Sequence, residues 1–341
     1  MGRMTTKKKL TSPELLEQVC QENKDIKRDF LSYLKSTQHS QGTIDSYAND
    51  IDIWCVWNLQ QNWNKPFTEM TKRNLIAYQN WLIYDNGNSP ARVKRLKSTL
   101  SSMSSFIEDI LDDEYKDFRP IIAKVKSPTG QAVREKTVFT EDELICLMDA
   151  LTAKKKYAQA CAVALAMYGG RRKSELLRFK VNWFTDENVI YGSLYKTPEK
   201  VKTKGHGDGK YIYCYTLKHD FQPYFESYMK WREDNGIESE WLFYDKSNPS
   251  EPMQISTLNS WANTFSKITG KDFYFHCLRH FFATKLSESG LPDSVIQSIV
   301  GWESADMVRV YVDTSVDDVI GQYFNEDGIK KDIEQVGLSD L

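Results

Sequence analysis

The sequence predicts a mainly α-helical protein with a small antiparallel β-sheet, an α+β chain of two domains. Three observations carry that expectation. Apolar residues recur at helical spacing in four successive stretches between residues 13 and 110. A single β-prone region follows, between Trp183 and Leu217. Residues 119–136, which contain Pro120, Pro128 and Gly130 and show no periodicity, separate the two regions. A chain of 341 residues is long enough to build two hydrophobic cores.

Residues 1–12 are basic and polar and are expected to be disordered. Residues 13–118 read as a helical bundle. Its first helix is expected from about Pro13 to Lys35, with Leu15, Val19, Ile26, Phe30 and Leu34 at helical spacing. A second begins near Thr43 and carries Ile44, Tyr47, Ile51 and Trp54 on one face. A third follows Thr71, with Leu75, Tyr78 and Leu82 in one stripe, and stops at Asn86-Gly87. Ser89-Pro90 is a good cap and first-turn pair for a fourth, running through Val93, Leu96, Leu100, Met103, Ile107 and Ile110. Short polar turns between helices of this length favour a small bundle. The fourth helix also carries Arg92, Lys94, Arg95 and Lys97. Taken alone they describe a solvated face; beside a phosphate-handling domain they read as contacts to a nucleic-acid backbone.

Residues 119–136 are expected to be a basic interdomain linker. The second domain, residues 137–315, opens on a capping box, Thr140-Glu141-Asp142-Glu143. The apolar run from Ala158 to Tyr168 predicts a buried helix ending at Gly169-Gly170. Val189-Ile190-Tyr191 and Tyr211 to Tyr215 predict strands, with Lys200 to Lys210 as a long turn between them. Helices are then expected over 219–234, 255–268, 276–289 and 292–300, with a further piece around 304–312. In the acidic tail, residues 316–341, Val319, Ile320, Tyr323 and Phe324 fall at helical spacing and are expected to form a helix that docks on a neighbouring protomer or back on its own chain.

The net charge of −2 conceals an asymmetry. Residues 312–341 hold eight acidic side chains and two lysines, which leaves the remainder of the chain mildly basic. That balance is compatible with nucleic acid. The six cysteines form no C-x-x-C pair and read as reduced thiols of a cytoplasmic protein. No membrane-spanning run and no secretory signal are seen.

The chemistry concentrates in His276-Cys277-Leu278-Arg279-His280. A histidine and an arginine three apart on a helix share one face. A guanidinium fork can hold a phosphate by two oxygens, and a tyrosine hydroxyl such as that of Tyr311 can attack it. Upstream, Gly170-Arg171-Arg172-Lys173-Ser174-Glu175-Leu176 puts arginine beside a helix N-terminus, where backbone N–H groups favour an anion. Val201-Lys202-Thr203-Lys204-Gly205 places lysines on a turn, where one could protonate a leaving oxygen.

Together these segments resemble the tyrosine recombinase (phage integrase) family. Its first box, Gly-x-Arg-x-Ser-Glu-Leu, is matched by Gly170, Arg172, Ser174, Glu175 and Leu176. Lys204 matches the hairpin lysine best, with Lys202 and Lys210 as competitors. The second box, His-x-Leu-Arg-His, is matched by His276, Leu278, Arg279 and His280. Val300-Gly301-Trp302 stands where the family commonly has Leu-Gly-His, and Tyr311 follows Trp302 at the family's spacing of nine residues. The resemblance covers residues 137–325, and Thr43, Ile44 and Tyr47 resemble the family's core-binding domain more loosely.

The resemblance implies an N-terminal core-binding domain and a recombinase catalytic domain. It implies a site-specific recombinase or integrase that cleaves and rejoins duplex DNA through a 3′-phosphotyrosine, serving integration, excision or transposition of a mobile element. Arg172 and Arg279 would clamp the scissile phosphate, Tyr311 would attack, and Lys204 would be the general acid. His276 would bond a phosphate oxygen or take the tyrosine proton, and Trp302 would donate to the phosphate or pack over it. Glu175 and His280 would support these groups from behind. No cofactor, metal or ATP is expected. The expected partners are duplex DNA with specific recombination sites, three further copies in a homo-tetramer on two DNA sites, and accessory DNA-bending proteins, with no membrane. The expected setting is the cytoplasm, for a bacterial or phage-encoded protein associated with the nucleoid. The rival readings are a type IB topoisomerase, a telomere resolvase and a catalytically inactive DNA-binding protein.

Overall fold

The computed structural model describes residues 10–129, 137–203 and 209–302, and the backbone of a strand pair at 324–325 and 328–329. The described residues fall mainly into two compact units, residues 10–129 and residues 137–203 with 211–302. Among them no helix is long and apolar enough to cross a membrane.

The first unit is built from α1 (Pro13–Glu17), α2 (Gln21–Ser36), α3 (Gln41–Gln61), α4 (Lys72–Asn80) and α5 (Pro90–Ile110). Ser12, Ser40, Thr71 and Ser89 cap α1, α3, α4 and α5, each side-chain oxygen accepting a backbone N–H of the first turn. The expected helix from Pro13 to Lys35 is in fact two. The chain breaks at Gln18–Cys20 because Asn64, in the turn after α3, takes the backbone groups that the break exposes. Its Oδ1 accepts from Cys20 N at 3.0 Å and its Nδ2 donates to Gln18 O at 2.9 Å. Such a long-range bond leaves no trace in local periodicity. The third helix ends as expected at Asn86-Gly87, in a wide final turn (Trp81–Asp85) closed by Asn86 N donating to Trp81 O. Helix α3 is buried on nearly every side from Ile51 to Asn58 and forms the axis of the bundle. Ile122 is buried against this same core and Val125 packs on it, so the start of the segment read as a linker belongs structurally to the bundle.

The second unit is organised around α7 (Tyr157–Gly169), whose residues Ala160 to Gly169 are all buried. Around it lie α6 (Glu141–Ala153), the short α8 (Lys173–Leu176), α9 (Lys218–Asp234), α10 (Ile255–Thr269), α11 (Phe275–Glu288) and α12 (Asp293–Val300). The Thr140–Glu143 capping box forms as expected. Strands β1 (Val189–Ile190), β2 (Leu194–Lys196) and β5 (Tyr215–Leu217) make a three-stranded antiparallel sheet, and β3 (Val201–Lys202) pairs with β4 (Tyr211–Ile212). The expected single strand from Tyr211 to Tyr215 is therefore split. Thr197 takes Cys214 out of the ladder, its hydroxyl accepting from Cys214 N and its own N–H donating to Cys214 O, each at 3.0 Å. Val201 and Lys202, expected in a turn, belong to β3. Residues 204–208, including Lys204, lie outside the described residues.

The piece expected around 304–312, with Tyr311, also lies outside them. In the tail, Phe324 does not join a helix. Strand β6 (Phe324–Asn325) pairs antiparallel with β7 (Gly328–Ile329).

Gly170 links this fold to its chemistry. Its φ is +62°, and a Cβ placed there would sit 2.4 Å from Phe282 Cδ1 on α11. Gly170→Ala should cost about 2 kcal/mol or more, from left-handed strain and overpacking together. Urea unfolding monitored by tryptophan fluorescence will show this, and an unchanged midpoint would refute the assigned packing.

Candidate active site

The site forms where α7 ends. After Gly170 the chain runs through Arg171 and Arg172 in extended geometry and turns into α8. The two neighbouring arginines, between which the spacing to Ser174-Glu175 chose Arg172, have different surroundings. Arg171 is fully buried, and its guanidinium donates to the carbonyls of Gly169 and Ile299, tying the end of α7 to α12. Arg172 is partly exposed, with 27% of its side chain open. Its Nη1 donates to Glu175 Oε1 at 2.9 Å and to Thr203 Oγ1 at 2.8 Å. Arg172 thus remains accessible, whereas Arg171 is a strut.

Glu175 is the common partner. Its side chain is fully buried. Oε2 accepts from Arg172 N at 2.9 Å and lies 3.8 Å from Arg279 Nη1, while Oε1 accepts from the Thr203 hydroxyl. Burial by itself pushes this carboxyl up. The charges of Arg171 and Arg279, with the Thr203 and Arg172 hydrogen bonds, outweigh burial and hold it below the ordinary carboxylate range. Glu175 is therefore ionised. Three guanidinium groups around one carboxylate leave a local excess of positive charge, as an oxyanion site requires.

Helix α11 supplies the rest. Arg279 is buried, and its Nη1 donates to Gly170 O at 2.9 Å. Its guanidinium lies over the Trp302 ring at 5.6 Å, a cation–π arrangement. Trp302 is itself buried, in a small cluster with Phe282, Leu286, Ile296 and Val300, so packing is the role its surroundings describe. His276 and His280, one turn apart, meet edge to face at 5.4 Å. His276 is pushed down to about 4, first by burial and then by the positive surroundings of His280, Arg279 and Arg172. It is thus a neutral imidazole, able to donate and to accept.

Of the residues singled out in the sequence, the structure brings Arg172, Glu175, His276, His280, Arg279 and Trp302 together. It adds two residues that the sequence reading passed over. Thr203 bridges Arg172 and Glu175, and Arg178 Nη1 donates to Lys202 O. The available signal for Thr203 was its place between Lys202 and Lys204.

In the first unit the four basic residues of α5 separate. Lys94 is exposed. Arg92 and Arg95 reach the buried carboxylate of Asp50, at 2.8 and 3.3 Å, and Thr99 donates to it as well. Arg95 also lines a recess of about 380 Å³ beside the start of α3, with the hydroxyls of Ser40, Thr43, Ser46 and Ser98. Lys97 corrects the sequence expectation. Only 3% of it is exposed, and its Nζ donates to Gln79 Oε1 and Val125 O, so it closes the bundle and does not face a ligand. Helical spacing puts it one turn from Val93 and Leu100 on the inner face.

The unfolded chain binds a proton at a histidine near pH 6.5, whereas the folded chain holds His276 neutral down to about 4. Stability from this residue is therefore full above pH 6.5, falls as pH drops towards 4, and changes no further below that. NMR titration should place the His276 midpoint near 4. Arg172→Gln should move it upward, and a midpoint at the ordinary value in the wild type would contradict the geometry.

The chain is also similar in sequence and fold to known proteins. The profile of the Phage integrase family matches residues 137–317, and that of the Phage integrase N-terminal SAM-like domain matches residues 27–117. The chain is 27% identical over 281 residues to the SPbeta prophage-derived recombinase-like protein YomM of Bacillus subtilis, covering 80% of each chain. It is 25% identical over 298 residues to the tyrosine recombinase XerA of Pyrococcus horikoshii, covering 85% of this chain and 89% of that one. Its fold is similar to that of the XerH site-specific recombinase bound to a palindromic difH substrate, with a TM-score of 0.64 at 17% identity, covering 91% of this chain and 85% of that one. It is also similar to a lambda integrase solved as a tetramer on a Holliday junction, with a TM-score of 0.60 at 19% identity over 85% and 77% of the two chains. With its bundle, its split sheet and its paired arginines around a buried glutamate, the chain belongs to the phage integrase family of tyrosine recombinases.

Proposed function

We propose that this protein is a metal- and ATP-independent DNA strand transferase that cuts and rejoins duplex DNA at specific recombination sites. The observation that carries the reading is the Arg172–Glu175–Arg279 network, a positive, buried cradle with a neutral imidazole at its edge. In the proposed reaction the Tyr311 hydroxyl oxygen attacks the scissile phosphorus. Arg172 and Arg279 offset the charge that builds on the non-bridging oxygens. His276, being neutral, takes the tyrosine proton or bonds a phosphate oxygen. The P–O bond to the 5′-oxygen breaks, and Lys204 protonates that oxygen. The product is a 3′-phosphotyrosine and a free 5′-hydroxyl. The phosphodiester bond energy is retained in the phosphotyrosine, so a second 5′-hydroxyl reverses the steps on a new strand.

The core-binding unit would hold the duplex through Lys94, Arg92 and Arg95 on α5 and through the hydroxyls beside the start of α3. Four copies would act on two DNA sites, assisted by DNA-bending partners. The acidic tail would seat on a neighbouring copy, so truncation after residue 315 should impair assembly; intact assembly and cleavage would refute that role.

A nicked suicide duplex carrying the recombination site should trap a covalent protein–DNA band that is lost in Tyr311→Phe. A band that persists in that variant would refute the nucleophile. Lys94→Ala should reduce the slope of log affinity against log salt by about 1. Lys97→Ala should leave that slope unchanged and lower the stability of the first unit by about 1–3 kcal/mol.

A further inference from the structure

Thr203 has a bonding pattern that assigns its proton. Glu175 is an ionised acceptor and a guanidinium only donates. The Thr203 hydroxyl, within 2.5 Å of Glu175 Oε1 and 2.8 Å of Arg172 Nη1, must therefore donate to the glutamate and accept from the arginine. Arg172 Nη1 and Glu175 Oε1 are also bonded to each other, at 2.9 Å, which closes a three-membered ring of polar atoms. Thr203 is only 5% exposed, so water is poorly placed to replace its hydroxyl.

The same residue sits on an element that is held on both sides. Just before it, Lys202 O accepts from Arg178, which follows α8. Across the hairpin, Ile212 pairs with Val201 and lies against Gly301, where an added Cβ would stand 2.5 Å from Ile212 Cδ1. The β3–β4 ladder is thus wedged between α8 and the Gly301-Trp302 corner, and Thr203 is its polar contact to the arginine.

From this we infer that Thr203 is a positioning residue for phosphoryl transfer: its hydroxyl fixes the Arg172 guanidinium by occupying Nη1 and turns the remaining edge towards the scissile phosphate. The inference rests on the proposed recombinase activity. It acts through Arg172, and Thr203 itself touches no reacting atom.

The test is single-turnover cleavage of the suicide duplex by the full-length chain at saturating DNA. Thr203→Val keeps the shape and removes the hydroxyl, Thr203→Ser keeps the hydroxyl, and Arg172→Lys removes the fork. Thr203→Val is expected to slow cleavage roughly ten- to a hundredfold with DNA affinity unchanged, as misplacing a catalytic group does. Thr203→Ser is expected to restore most of the rate. In the Arg172→Lys background Thr203→Val should cost less than about twofold more, because coupled residues are not additive. A duplex with sulfur in place of the 5′-bridging oxygen needs no proton on its leaving group, and the Thr203→Val deficit should persist on it.

A wild-type rate in Thr203→Val, equal loss in the serine and valine variants, additivity with Arg172→Lys, or rescue by the sulfur substrate would each overturn the inference. Rescue would transfer the hydroxyl's role to the leaving-group side. Failure of the wild-type chain to form any covalent complex would instead overturn the proposed activity, and with it this role.

Discussion

The polar cluster of the second unit depends on one buried carboxylate. Taking Glu175 out of water is costly, and only charge and hydrogen bonds in good geometry offset that cost. Arg171, Arg172 and Arg279 supply the charge, and Thr203 supplies a hydroxyl bond. These side chains come from three stretches distant in sequence: the α7–α8 junction, the end of β3 and α11. The carboxylate therefore specifies how they meet. It also leaves the cluster with surplus positive charge, which is the physical condition for receiving a phosphate.

The backbone around this cluster is shaped to the same end. Gly170 takes a left-handed conformation with no room for a Cβ, so α11 can approach the end of α7 closely enough for Arg279 to bond the Gly170 carbonyl. Gly301 serves in the same way beside Ile212. Trp302, in the place where the family commonly has histidine, is buried with Arg279 over its ring. Its ring is a surface that supports the arginine from the π face.

The first unit repeats the device in a milder form. Asp50 is 1% exposed on the central helix and engages Arg92 and Arg95 of α5. Those arginines remain partly exposed, so the buried carboxylate aims them without hiding them. Lys97, only a few residues along the same helix, faces the opposite way and is used up inside the protein. A run of basic residues on one helix is consequently not one surface.

Much of this was legible in the chain itself. Capping residues such as Ser89 and Thr140 place helix starts because the bonds they make are local, reaching only three residues. Helical spacing identified the buried faces, and the boxes around Arg172 and Arg279 identified the chemistry. The box spacing singled out Arg172, but only the tertiary structure showed what holds each arginine, since their long-range partners differ. It also decided the break at Gln18–Cys20, the split between β4 and β5, the burial of Lys97 and the use of Thr203. Each of these rests on a hydrogen bond between residues far apart in sequence, or on which side of a helix meets the core. Local pattern determines which residues could form such bonds; only the packed chain determines which of them do.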